Sequence, residues 1–135
     1  MPTILKKGLF ACCLLPAAVF AQQHKKPIKV QFGIASFYAN KFEGRKTFTD
    51  EIFHQDSLTA ASNTLPMHVW VRVTNLRNHR TVVVQINDKM HPRNRRLIDL
   101  SHAAAGRLGF ADRGLTRVRI DVLGRKKPED AALVN

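Results

Sequence analysis

The sequence predicts a small all-β domain, a closed barrel with one or two short helices. Three observations carry that expectation. Val69, Val71 and Val73 alternate with larger or polar residues, the period-two pattern of a strand with one buried face. Residues 81–86, Thr-Val-Val-Val-Gln-Ile, are dominated by β-branched side chains that suit a pleated surface. Residues 116–123 return to strict alternation, with Val118, Ile120 and Val122 expected inward and Arg117, Arg119 and Asp121 outward. Short strands around one modest core favour closure, which also removes exposed edges from a valine-rich chain.

The elements follow in order. Residues 1–21 read as an export signal: Lys6 and Lys7 precede an apolar run that ends in small residues at Val19-Phe20-Ala21, too short for a membrane span. A second reading takes Leu9-Phe10-Ala11-Cys12 as a lipoprotein-type cleavage site, although the apolar stretch before Cys12 is short. Residues 22–29 form a polar lead-in. A barrel domain spans 30–124, and a charged tail expected to be flexible spans 125–135. The first strand is expected over 30–38. Residues 40–51 are irregular, with Gly44 as a turn candidate, and 58–61 form a short apolar piece. Residues 64–66 are extended because the residue before Pro66 avoids the helical region. The strands at 68–74 and 81–86 flank a turn at 75–80 and form a hairpin. Residues 97–100 read as a short strand or a bend. Residues 101–109 are the helix candidate, with Ser101 or Asp99 as N-cap and Gly109 as a left-handed stop.

Charge narrows the partners. The chain of 135 residues carries 22 Lys and Arg against 10 Asp and Glu, a net charge of +12. The segment 1–21 holds two of the basic residues and no acidic one, so the remaining 114 residues keep +10. Such a surface expects an anionic partner: cell-wall glycan, lipid headgroups or nucleic acid. No nucleic-acid motif is present, and one Trp and one Tyr make a poor stacking platform for bases. Both cysteines, Cys12 and Cys13, lie in the signal, so packing alone must hold an exported domain. The six histidines lack the close pairing of a zinc site. No metal or cofactor is expected.

Asp88 is the leading candidate for chemistry. It ends the most apolar strand, beside Lys89, His91, Arg93, Arg95 and Arg96, which favour its charged form and attract an anionic substrate. A turn aspartate bonded to local amides is the competing reading. The run 93–96 reads either as a solvated loop or as a docking site for polymer. Tyr38 and Trp70 read either as groove-lining aromatics or, for Trp70, as a half-buried packing residue.

Several blocks resemble the RlpA family, the rare lipoprotein A-like double-psi β-barrel proteins. They are Gly33-Ile34-Ala35-Ser36-Phe37-Tyr38, Gly44-Arg45-Lys46-Thr47 with Glu51-Ile52-Phe53, and Leu58-Thr59-Ala60-Ala61 with Thr64-Leu65-Pro66. They continue through Val71-Arg72-Val73-Thr74-Asn75-Leu76 and Val84-Gln85-Ile86-Asn87-Asp88, and end with Arg96-Leu97-Ile98-Asp99-Leu100-Ser101, Ala103-Ala104-Ala105 and Leu108-Gly109. The resemblance implies a six-stranded double-psi barrel and a periplasmic, monomeric lytic transglycosylase. Such an enzyme cleaves peptidoglycan glycan strands and leaves 1,6-anhydro-N-acetylmuramic ends, working among cell-wall or division proteins. It implies Asp88 as catalytic acid, Glu51 as a second functional carboxylate and Tyr38 at the groove; Ser62, Lys89 and Arg96 are expected as further substrate-binding residues from their own chemistry and their places near Asp88. Three departures fall in these blocks. Ser62 stands where the family has histidine, Phe48-Thr49-Asp50 where it has Ala-Asn-Gly, and Lys89-Met90-His91 where it has Arg-Gly-Pro. The expected geometry is Asp88 and Glu51 on one open groove with Ser62 beside them.

Overall fold

The computed structural model describes residues 29–130, together with Gly8, residues 11–14 and Ala18. The expected signal and lead-in fall almost wholly outside the described residues, as do 131–135 of the expected tail. Six strands close into a barrel: β1 (Val30–Phe37), β2 (Thr59–Ala61), β3 (Trp70–Asn75), β4 (Thr81–Asp88), β5 (Ile98–Leu100) and β6 (Thr116–Gly124). Around the ring they run β1-β5-β2-β4-β3-β6. The β1–β5 and β2–β4 pairs are parallel; the other four are antiparallel. This is the expected double-psi-type architecture. Among the described residues one helix, α1 (His102–Leu108), and a single 3-10 turn, Asn40–Phe42, complete it.

The alternating valines do what their spacing requires. In the β3–β4 hairpin Val71 pairs with Val84 and Val73 with Val82, and all four are fully buried. Val118 and Ile120 of β6 join them, with Ile98 and Leu100 of β5. Val122, expected inward, packs against the core but is only half-buried, where the β1–β6 register has ended and β6 continues beside β3. The strand β4 runs on to Asp88 rather than stopping at Ile86. The short apolar piece at 58–61 is the strand β2, too short to show a period. Residues 98–100 are a strand and not a bend.

The helix plugs one end of the barrel with Ala104, Ala105 and Leu108, and Phe110 follows them into the core. Ser101, not Asp99, is its N-cap and accepts from Ala104 N–H. Gly109 ends it at φ 74°, the left-handed conformation that glycine adopts without strain. Gly33 has a different reason: a Cβ there would sit 2.7 Å from Leu97 Cβ, so β1 and the approach to β5 need a bare backbone.

Asn75 locks three elements together. It is buried at the end of β3; its amide donates to the Leu108 carbonyl at 2.8 Å, and its Oδ1 accepts from Thr116 Oγ1 at 2.8 Å and from Arg77 N–H at 3.0 Å. Each buried group left without its partner costs about 1–3 kcal/mol. Asn75→Ala is therefore expected to lower unfolding free energy by roughly 2–4 kcal/mol, read from urea midpoints. Asn78→Ala removes a second donor to the same Leu108 carbonyl and the acceptor of the exposed Arg80 N–H, and should cost clearly less.

Candidate functional site

The ring order brings four strand positions side by side at one end of the barrel. Ser36 pairs with Asp99, Asp99 with Ala61, and Ala61 with Asp88. The β2–β4 register shifts between Ala60 and Ala61: Ala60 faces Ile86 and Ala61 faces Asp88. Asn87 is thus the extra residue of a bulge, a device that re-aims the side chain after it. Asn87 is buried and its Oδ1 has no hydrogen-bond partner among the described residues.

These strand ends floor a trough of about 610 Å³, lined by Tyr38, Phe42, Ala61, Asp88, Lys89, Met90, His91, Asn94, Arg96 and Asp99, among others. Asp88 is its best-ordered group. Its Oδ2 accepts from the Tyr38 hydroxyl at 2.7 Å, and its Oδ1 accepts from the Phe48 and Lys89 amides at 2.8 and 2.9 Å. Tyr38 is held by stacking on Phe53, with ring centroids 4.0 Å apart, and by an edge contact with Phe42. Burial above all, and then the hydrogen bond and charge of Asp88, push the Tyr38 phenol far above its ordinary range. It stays a neutral donor.

A flap folds over this end. Residues 44–53 form a small hairpin through a Lys46–Ile52 bridge and mutual bonds between Gly44, Arg45 and Phe53. The tip bonds the barrel twice, Phe48 N–H to Asp88 and Thr49 N–H to the Asn87 carbonyl. Asp50 sits in the tip at φ 64°, a left-handed position corresponding to the glycine of the resembled motif. Below the flap, Glu43 accepts from the Gln55 amide and pairs with His54, and these bonds, His54 first, hold its carboxyl below the usual range. Gln55 in turn donates to the Tyr38 carbonyl and accepts from His102 N–H.

The six residues proposed from the sequence divide. Asp88, Tyr38, Lys89 and Arg96 share the trough. Glu51 does not line it: it is exposed on the flap, where Thr49 Oγ1 donates to it at 2.8 Å. Ser62 lies beside Asp88 through the backbone, its N–H donating to the Asp88 carbonyl, but its side chain points inward. That hydroxyl is fully buried, donating to the Leu97 carbonyl and accepting from Thr64 N–H. The basic residues are not gathered around the Asp88 carboxylate. Arg96 makes a two-pronged pair with Asp99, both contacts at 2.9 Å, which raises its guanidinium further above its ordinary range. Lys89 places its ammonium 4.3 Å from the Phe48 ring centroid. Trp70 lies on the outer wall with Gln85 and Lys127, away from the trough lining. Sequence reasoning missed the Phe48 amide, because a backbone donor has no residue signature. It also missed Asn63, whose side chain pins the 89–91 loop by accepting from Met90 N–H and donating to the His91 carbonyl. Among the described residues no three His, Cys, Asp or Glu side chains converge as metal ligands.

The Tyr38 contact has a measurable consequence. Its folded-state value lies above its unfolded one, so its contribution to stability is complete below about pH 10 and is lost as pH rises further. An alkaline titration of phenolate absorbance, with a single tyrosine in the chain, should show no ionisation until the barrel unfolds. In Asp88→Asn, which removes the carboxylate's charge, the transition should begin at lower pH.

Comparison with known proteins agrees with this architecture. A family model described as lytic transglycolase, of the double-psi β-barrel type, matches residues 30–120. The endolytic peptidoglycan transglycosylase RlpA of Haemophilus influenzae is 47% identical over 94 residues, which cover 70% of this chain and 33% of that protein. The probable enzyme of that name from a Nostoc strain is 48% identical over 82% of this chain and 30% of its own length. The chain therefore spans about a third of the curated relatives it matches. Among solved structures, the Streptomyces papain inhibitor superposes with a TM-score of 0.57 at 26% identity, covering 71% of this chain and 96% of the inhibitor. A Clavibacter michiganensis expansin, at 19% identity and the same TM-score over 74% of this chain and 53% of its own, shares the fold. With its six-stranded ring, its matched barrel and its close relatives, this chain belongs to the RlpA family of double-psi β-barrel proteins.

Proposed function

We propose that the barrel acts on peptidoglycan glycan strands as a lytic transglycosylase, with Asp88 as acid and then base. The observation that supports this most is the Asp88 carboxyl at the floor of an open trough, oriented from two sides by Tyr38 and the Phe48 amide. The protonated carboxyl gives its proton to the oxygen that links N-acetylmuramic acid to the next sugar, and the C1–O bond breaks. The C6 hydroxyl of the same muramoyl residue then attacks C1 and loses its proton to the Asp88 carboxylate. The products are a 1,6-anhydro end and a free sugar hydroxyl. No water is consumed, and Asp88 regains its proton. Proton transfer by a positioned group contributes typically about 10²–10⁴ in rate.

In this reading Tyr38 is a positioning residue, fixing the Oδ2 of Asp88. Lys89 sits at the rim for the carboxylates of lactyl groups or stem peptides. The Arg96–Asp99 pair presents a nearly neutral wall to sugar hydroxyls. Glu51 works through the flap: by holding Thr49 it keeps the Phe48 amide on Asp88. Export through the 1–21 signal would bring the domain to its polymer in the periplasm.

A second reading is a glycan-binding module without turnover. It is favoured by Ser62, which replaces the family imidazole with a hydroxyl already committed to backbone groups. All six strands, α1 and the core of the described residues lie between Val30 and Gly124, so residues 22–135 carry the whole barrel for the test. Incubated with peptidoglycan stripped of stem peptides, this protein should release anhydromuramyl fragments detectable by mass spectrometry. Asp88→Asn should reduce release by about 10²–10⁴, and Glu51→Gln should reduce it less. Salt-sensitive retention on the polymer with no anhydro product from the wild type selects the binding reading. Equal product from wild type and Asp88→Asn removes Asp88 from the mechanism.

A further inference from the structure

A second surface, remote from the trough, is built differently. The outward side of β1 carries Val30 and Phe32, 37% and 67% exposed; Leu76 in the β3–β4 turn is 38% exposed and Leu115, just before β6, is 53% exposed. They fall on one face because β1 and β6 are paired, Phe32 opposite Arg119 and Ile34 opposite Arg117, and because Leu76 N–H bonds the Arg117 carbonyl. Two shallow concavities of about 310 and 280 Å³ lie here, sharing Leu76 and Arg117 as a common wall. Arg77, Arg113 and Arg117 line them. None of the three has a carboxylate partner among the described residues, whereas neighbouring Arg119 is paired with Asp121 at 2.9 Å. Asp112, next to Arg113 in the chain, pairs with none of them.

We propose that this face docks on an anionic phospholipid surface. Exposed apolar groups ringed by cations are the composition of an interfacial site: the apolar side chains enter the headgroup layer and the guanidiniums take phosphates. The shape separates this partner from the others. The apolar side chains come from three separate elements and stand out, with two small hollows between them in place of one continuous groove for a helix. Each hollow combines arginine with apolar wall and has the size for one phosphate headgroup. The strand β6 is paired on both sides, with β1 and β3, so an extended peptide cannot add to it. A second copy meeting the same face would set arginine against arginine. Backbone bonds hold the residues in place: Arg77 N–H donates to Asn75, and Arg113 and Gly114 N–H both donate to the Phe110 carbonyl.

The test is sedimentation of residues 22–135 with vesicles of mixed phosphatidylglycerol and phosphatidylcholine, and with phosphatidylcholine alone. The wild type should bind the anionic vesicles, less so as salt rises, and bind the neutral ones weakly. Arg77→Glu, Arg113→Glu and Arg117→Glu combined should weaken binding on the order of 100-fold. Phe32→Ser with Leu115→Ser should weaken it with the charge unchanged. A triple variant of equal charge change on other elements, Lys46→Glu, Arg107→Glu and Lys126→Glu, should keep most of the affinity, and Asp88→Asn all of it. Thermal midpoints close to wild type confirm that each variant is folded. Equal losses in the two triple variants would reduce the effect to net charge and overturn the proposal. So would absence of wild-type binding to anionic vesicles at low salt. Retention on immobilised polyglutamate without vesicle binding would assign the face to an acidic protein instead.

Discussion

Ring closure is the constraint on which everything else in this molecule rests. A barrel has no edge, so each strand must find two partners, and here two of the six strands have only three residues with which to do it. The strands β2 and β5 meet this demand by lying next to each other, each also pairing with a longer parallel neighbour. Short strands cannot fill a barrel end to end. The space they leave at one end is covered by connections: the flap over 44–53 and the loop over 89–97. The trough lies between the segment 37–42 and the loop 89–97.

The Asp88 carboxylate then joins parts of the chain that the sheet leaves separate. It ties the residue after β1, the flap tip and the start of the 89–97 loop through Tyr38, Phe48 and Lys89. Two of those bonds come from backbone amides, which cannot be removed by side-chain substitution. Such bonds fix an acid's orientation before any ligand arrives, and orientation is where positioned groups gain most of their catalytic effect. The nearby cations are committed elsewhere, Arg96 to Asp99 and Lys89 to the Phe48 ring. The trough therefore offers a carboxylate without a direct ion pair, beside a guanidinium–carboxylate pair whose charges largely cancel.

How much of this the sequence discloses depends on which physical quantity each residue reports. Burial periodicity is local, so Val69, Val71 and Val73 and the alternation of β6 reveal their strands directly. The three residues of β2 are too few for a period, and they become a strand only because β4 and β5 lie on either side. Asp88 was visible as a carboxylate at a strand exit, and Tyr38 as the end of a motif. Arg96, which the sequence sets among the basic residues beside Asp88, turns its guanidinium to Asp99. Spacing of three residues also places Arg96 against Asp99, and the two-pronged pair there is closer and better aligned. Ser62 and Glu51 show the limit of spacing alone. Sequence places Ser62 near Asp88, and the backbone bond is real, but which way a hydroxyl turns depends on the Leu97 carbonyl waiting on the other side.

The uneven use of charge has a further consequence. The chain carries +12 overall, and among the described residues few of its cations meet a carboxylate at close range; Arg77, Arg113 and Arg117 line the face around Phe32 and Leu115. The strand β1 connects that face to the trough. Between Phe32 and Tyr38 lie six residue steps, about 20 Å at a strand's rise. That is more than twice the screening length of about 8 Å at physiological ionic strength. Occupancy of one face thus changes the potential at the other very little. A protein held by its arginine face would keep its trough directed elsewhere, with the chemistry around Asp88 unaltered. The physical separation of the two surfaces would let a domain of this size attach to one anionic partner while acting on another.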